Sequence, residues 1–199
     1  MEFIESLQRD LSNEVIHPKV LLSKFRMLDE DSRYAPAYQD PAYLPFYYHL
    51  GKYIHPENLV DIGFGLGLNT GCFLKSCHSV KRVTAFQEIS EFYSPRLATK
   101  NLRDLSKDLE IKSYSKDQEF LDEVASYKQD LVFVNEKLPY DRLRDFLTVT
   151  WNSLNDNGMV VVDYLTDPIV NQAFIDFSKI ENRNSVIFET RYRTGVLIK

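Results

Sequence analysis

The stretch LVDIGFGLGLNTG, residues 59–71, decides the fold. Leu59-Val60-Asp61-Ile62 reads as a buried strand, and four of the chain's seven glycines follow between Gly63 and Gly71. Glycine beside a strand packs nothing and costs backbone entropy. Its concentration therefore needs another reason. A strand that ends in glycines and turns into a helix lets a ligand approach backbone N–H groups at a positive helix end. The pattern is Asp61-x-Gly63-x-Gly65-x-Gly67. It is not the G-x-G-x-x-G of dinucleotide sites. An acid opens it, two residues before the first glycine, and suits an ammonium group or a water better than a pyrophosphate.

Outward from this stretch, apolar runs recur at 59–62, 82–86, 131–134, 159–162 and 194–198. Helical-looking segments lie between several of them, at 69–77, 91–105, 117–126, 140–154 and 168–180. Strands alternating with helices imply parallel pairing through right-handed crossovers, with helices on both faces. The expected fold is a doubly wound α/β sheet. The end differs: SVIFETRYRTGVLIK holds two β-rich pieces with no room for a crossover helix, so they are predicted to form an antiparallel hairpin.

The first 57 residues read as an N-terminal helical and aromatic extension to a domain over 58–199. Residues 2–13 and 18–28 have amphipathic spacing, the second opening at Pro18. Three of the eight prolines fall between Pro36 and Pro45, and six of the twelve tyrosines between Tyr34 and Tyr53. Proline this dense excludes a regular helix before about residue 42; one is predicted from there to Ile54.

At 44% hydrophobic and 27% charged, the 199 residues can bury a sizeable core. No apolar run reaches the ~18 residues of a membrane span, and the N-terminus lacks the apolar region of a secretory signal. Cys72 and Cys77 on one helix would point about 140° apart, so free buried thiols are expected, in keeping with a cytoplasmic protein. The net charge of −5 disfavours nucleic acid as a partner. Arg96, Lys100, Arg103 and Lys107 share a helical spacing and read as a solvated face.

The glycine pattern resembles the S-adenosylmethionine (SAM) loop of class I methyltransferases, and the resemblance covers residues 58–199. It implies a Rossmann-like, mostly parallel seven-stranded sheet whose last strand inserts antiparallel. It also implies that Asp61, Gly63, Gly65 and Gly67 face the methionine part of SAM. The next strand, in RVTAFQEIS, would then end at the ribose hydroxyls. The usual acid position falls on Gln87, with Glu88 beside it, and either could take the role. Asp117 follows the third strand, where the family meets the adenine amino group. IGFGLGLN and TAFQEISEFYSPRLA are also similar to the methyltransferase domain that completes methylaminomethyl-uridine at the tRNA wobble position. That family has Asp-Gly-Phe after the fourth strand. Here the stretch is FVNEKLPY, so the tRNA substrate is not implied.

Ligands of open α/β sheets sit at the carboxyl ends of the strands. Asp163 is the candidate base there and Asn135 the candidate orienter, unless Asp163 only caps the helix at Pro168. Tyr34, Tyr38 and Tyr140 are candidates to line an acceptor pocket; His49 and His55 read as structural. Metal-dependent O-methyltransferases resembling this chain use two aspartates and an asparagine at positions that fall on Asn135, Asp163 and Tyr164. Hard cations want several oxygen ligands, so no catalytic metal is expected. The reading is a metal-independent SAM-dependent methyltransferase with a small or medium-sized acceptor. The alternatives are a lapsed methyltransferase-fold binding or scaffold protein and an RNA-modifying methyltransferase.

Overall fold

Period-2 alternation of strand side chains places two apolar surfaces on one sheet. In the computed structural model, which describes residues 2–26, 40, 42–88, 95–106, 108–180 and 184–199, those surfaces are filled by different helices. The strands are β1 (Asn58–Ile62), β2 (Arg82–Phe86), β3 (Glu110–Tyr114), β4 (Gln129–Val134), β5 (Leu154–Val162), β6 (Asn184–Phe188) and β7 (Thr194–Ile198). They form a seven-stranded sheet in the order β3-β2-β1-β4-β5-β7-β6. β1 to β5 pair in parallel, and β7 runs antiparallel to both β5 and β6. The mostly parallel sheet and its terminal hairpin match the sequence reading.

The helices are α1 (Glu2–Asn13), α2 (Pro18–Leu22), α3 (Tyr43–Tyr53), α4 (Leu68–Leu74), α5 (Pro95–Arg103), α6 (Asp117–Ala125), α7 (Tyr140–Ser153) and α8 (Pro168–Lys179). Leu59, Leu131, Phe133 and Val161 point to the face covered by α1 to α5. Val60, Val132, Val134, Val160 and Val162 point to the face covered by α6, α7 and α8. Strands covered on both sides read as continuous apolar runs, which is why β1, β2, β4 and the second half of β5 were visible in the sequence. β3 is an edge strand, EIKSY, with both faces partly exposed. It needs no apolar run and shows none.

One helix is shorter than its pattern. The 18–28 reading reduces to Pro18–Leu22. Beyond it, Ser23 and Phe25 donate to carbonyls three residues back. The side chain of Asn101 on α5 then takes the backbone of Arg26, accepting from its N–H at 2.8 Å and donating to its carbonyl at 3.1 Å. The Phe25 ring lies on Gly71 of α4, where any Cβ would collide with it. These tertiary contacts override local helix spacing. Residues 91–94 and Lys107, Tyr34 and Tyr38 lie outside the described residues. Arg96, Lys100 and Arg103 line one shallow groove on α5. Cys72 and Cys77 are free and buried, and burial pushes the Cys72 thiol up to about 12.

Phe133 is central to the first face: its fully buried ring packs edge-on to Tyr47 at 4.9 Å and Phe73 at 5.5 Å. Phe133→Ala is expected to cost about 3–5 kcal/mol, read as a lowered urea midpoint at unchanged m-value.

Candidate active site at the carboxyl ends of the central strands

Backbone geometry explains the glycines. Gly63, Gly65 and Gly67 have φ of 82°, 53° and 70°, all left-handed. This region penalises a Cβ. At Gly63 the loop also runs against the end of β4, where a Cβ would lie 2.9 Å from the Asn135 carbonyl oxygen. At Gly65 the Cβ position is open, with only the Gly63 carbonyl oxygen nearby at 3.8 Å. The loop donors are largely engaged. Gly63 and Phe64 donate to the Phe86 carbonyl, Gly67 to that of Phe64, and Gly65 to the side-chain Oε1 of Gln87 at 2.7 Å.

Behind the loop runs a buried polar chain. Asp61 and Asp163 end up 1% and 0% exposed. Thr70 Oγ1 donates to Asp61 at 2.5 Å, and Asn135 Nδ2 donates to its other oxygen at 2.8 Å. The Tyr47 hydroxyl lies 2.8 Å from Asn135 Oδ1 and 2.6 Å from Asp163 Oδ2. Thr194 Oγ1 donates to the other oxygen of Asp163 at 2.6 Å. Asn69 Nδ2 donates to the Tyr43 hydroxyl at 2.8 Å and reaches Asp163 at 3.4 Å. Asp163 does not cap α8. Asp167 does, accepting from the N–H groups of Ile169 and Val170.

Burial raises both carboxyls. Asp61 rises to about 7, with its bonds from Thr70 and Asn135 opposing burial and the Asp163 charge adding to it. Asp163 rises to about 6, with Thr194 and Tyr47 opposing. Burial, reinforced by Asp163, holds Tyr43 and Tyr47 protonated far above the usual phenol range. A phenol has one proton. With Asp163 ionised, Tyr47 donates to it; with Asp163 protonated, the carboxyl can donate to Tyr47 and Tyr47 to Asn135.

The cleft in front is lined by Tyr43, Phe64, Gly65, Asn69, Asn135, Tyr164 and Tyr192, among others. Tyr164 adopts φ 64°, a rare conformation for a bulky residue, two residues after the end of β5. Its ring rests on Tyr192 at 4.5 Å, and Tyr192 packs edge-on to Tyr43 at 4.9 Å. Leu165 and Thr166 donate to the carbonyls of Arg193 and Tyr192, tying this loop to the β6–β7 hairpin. The cavity is about 180 Å³. Typical small-molecule sites hold roughly 300–1,000 Å³, so a nucleoside-sized ligand would extend beyond it or displace the tyrosine wall.

At the β2 end the strand is regular through Phe86. Gln87 therefore turns to the glycine loop, and Glu88 turns to Arg142 Nη1 at 3.4 Å. Asp117 receives two bonds from Arg142, at 2.8 and 2.6 Å. Burial raises the Glu136 carboxyl, and the Glu88 charge adds to this. Tyr140 stands apart: its hydroxyl donates to Asp176 at 2.9 Å, between α7 and α8. The structure thus brings Asp61, Gly63, Gly65, Gly67, Gln87, Asn135 and Asp163 together. Sequence reasoning missed Tyr43, Tyr47, Asn69, Thr70, Tyr192 and Thr194. The available signal was the four-residue spacing of Tyr43 and Tyr47, which puts both on one helix face.

No protein-family model matches the chain, and no curated protein matches it. Solved structures do. The O-methyltransferase TomG from Streptomyces achromogenes, involved in tomaymycin synthesis and crystallised with SAM, is 14% identical, with a TM-score of 0.65 over 100% of this chain and 99% of that one. An O-methyltransferase from Bacillus cereus in complex with SAH is 12% identical, with a TM-score of 0.62 over 98% and 97%. The ribosomal protein L11 methylase from Lactobacillus delbrueckii subsp. bulgaricus is 23% identical, with a TM-score of 0.53 over 78% of each chain. The chain has the class I SAM-dependent methyltransferase fold. Among the described residues no helix is long and apolar enough to cross a membrane.

Raised carboxyls make stability pH-dependent with a defined sign. The folded state holds protons that the unfolded chain has already released, so stability falls as pH rises from about 4 to about 7. In Asp163→Asn this fall is expected to be shallower, read from urea midpoints across that range. Parallel profiles for parent and variant would refute the assignment.

Proposed function

We propose that the chain is a SAM-dependent methyltransferase acting on a small or medium-sized acceptor without a catalytic metal. The observation that carries this is the left-handed glycine loop at the end of β1, facing an open position at Gly65 beside the cleft. The residues fit SAM on their own geometry: a Cβ at Gly65 would fill the space a ligand needs. Bound there, SAM would supply an electrophilic methyl group on a sulfonium.

The chain's own residues would divide the work. Gly63, Gly65 and Gly67 shape the floor, and Gln87 fixes the loop through Gly65. Asp61 sits behind the loop and orients Asn135. Glu88 and Asp117, both gathered by Arg142, would border the nucleoside end. Asn135, Tyr43 and Asn69 line the cleft. Asp163 is sealed, so it positions Tyr47 and Asn69 instead of touching an acceptor. Tyr164 and Tyr192 offer an aromatic wall. Tyr34 and Tyr38 stay proposed as acceptor-side residues from sequence alone. In the metal-dependent O-methyltransferases that the chain resembles, the ligand positions fall on Asn135, Asp163 and Tyr164. Here the Tyr47 hydroxyl bridges Asn135 and Asp163, which supports metal independence. The solved O-methyltransferases of this fold support a small-molecule acceptor.

A second reading is a lapsed binding protein. It is favoured by the Gly65 N–H already being satisfied by Gln87. Calorimetric titration with SAM separates the two. The parent is expected to bind and Gly65→Val to lose binding, since a branched side chain meets both a left-handed φ and the ligand's space. Equal binding by Gly65→Val would refute the placement, and no binding by the parent would favour the lapsed reading.

Methyl transfer from labelled SAM to fractionated extracts is expected to persist in EDTA. Loss that magnesium restores would overturn metal independence.

A further inference from the structure

Helix α3 carries more than the two site tyrosines. On its far end His49 is fully buried, and neither ring nitrogen has a partner at full hydrogen-bond geometry among the described residues, although the Glu14 backbone lies close enough to oppose the lowering of its pKa. Buried polar groups without partners are rare and costly. The Nδ1 atom faces two carboxylates on another element. Asp10 lies in α1, and Glu14 follows it by one turn, its N–H donating to the Asp10 carbonyl at 2.8 Å. The two side chains therefore share a face. His49 Nδ1 lies 3.6 Å from Glu14 Oε2 and 3.8 Å from Asp10 Oδ2, too far for hydrogen bonds. All three ligand atoms fall within 4.8 Å of one another.

We propose that Asp10, Glu14 and His49 form a binding site for one divalent transition-metal ion of the zinc class. One imidazole and two carboxylates are a donor set that such ions accept. Bonds of about 2.0–2.2 Å in a tetrahedron put neighbouring ligand atoms about 3.3–3.5 Å apart. The two His49 spacings exceed this by a few tenths of an ångström and the Asp10–Glu14 spacing by up to about 1.5 Å, so closure on an ion requires the two partly exposed carboxylates to rotate. Burial lowers the His49 pKa, and the Lys52 charge adds to this against the Glu14 and Asp10 charges, which favours the neutral imidazole that a ligand must be. Tyr53 donates to Asp10 Oδ2 at 2.6 Å, the kind of outer bond that orients a carboxylate ligand. Glu14 and Asp10 keep half and a quarter of their side-chain surface in solvent, which gives an ion its entry path and a water as fourth ligand. The Lys52 ammonium, 2.6 Å from Glu14 Oε2, neutralises part of the same charge and would be displaced. The ion would pin α1 to α3, and with it Tyr43 and Tyr47.

Zinc titration of the metal-stripped full chain against a chromophoric chelator tests this, with thermal unfolding alongside. One equivalent is expected to bind and to raise the melting temperature. Asp10→Asn and Glu14→Gln, which keep side-chain size and an acceptor oxygen, are each expected to weaken binding at least about tenfold. Lys52→Met should tighten it severalfold by removing the competing charge. A parent that releases all zinc to the chelator overturns the site. So does zinc held equally by the carboxylate variants, which would be adventitious binding at His17, His55 or His78.

Discussion

Two carboxyl groups are buried where the sheet opens, and most of the fold's local detail follows from satisfying them. A buried carboxylate costs several kcal/mol unless it is hydrogen-bonded. Asp61 and Asp163 draw donors from different elements: Thr70 and Asn69 from α4, Asn135 from the end of β4, Tyr47 from α3 and Thr194 from β7. No one element could supply them. The N-terminal helix that brings Tyr47, the loop that brings Asn135 and the hairpin that brings Thr194 are thereby held in register at one point. Because the groups form one continuous chain, a proton gained by Asp163 re-orders the bonds as far as Asn135.

The aspartates' elements and Asn135 were legible in the sequence; their other partners were not. β1, β2, β4 and β5 were visible because burial on both faces writes a continuous apolar run. The terminal hairpin followed from chain length, since no helix fits between its strands. Asp61 and the three glycines stood out because a strand end full of glycine has few physical explanations. Asn135 and Asp163 were found from their positions at strand ends alone.

Tyr47 was hidden for a definite reason. It sits among Leu44, Phe46 and Leu50 in a helix whose apolar face packs on the sheet, and from sequence a tyrosine there is another core aromatic. Its ring is indeed core, packed on Phe133 and Phe46; only its hydroxyl does chemistry. Tyr192 and Thr194 were hidden differently. They lie in the β6–β7 hairpin, and only the antiparallel register of β7 on β5, pairing Gly195 with Val162, carries them to the end of the sheet. The early end of α2 was also illegible, because it depends on Asn101, 75 residues away in sequence.

The amide at Gln87, where the resembling family places an acid, has an electrostatic reason in this structure. The carboxyl end of β2 already gathers Glu88, Asp117 and Glu136 around Arg142. Arg142 is shared among them, with its guanidinium over the Phe86 and Phe146 rings. Burial and Glu88 already disfavour the charged form of Glu136. A fourth carboxylate would add like-charge repulsion where Arg142 is already shared among three acids. Gln87 supplies the acceptor that Gly65 needs, without the charge, and its Nε2 reaches the Glu88 carbonyl at 3.3 Å. In the proposed SAM site the cost would be one charge-assisted bond to a ligand hydroxyl, on the order of 1 kcal/mol. The gain is a glycine loop held in its left-handed path before any ligand arrives, so that less ordering is left to be done on binding.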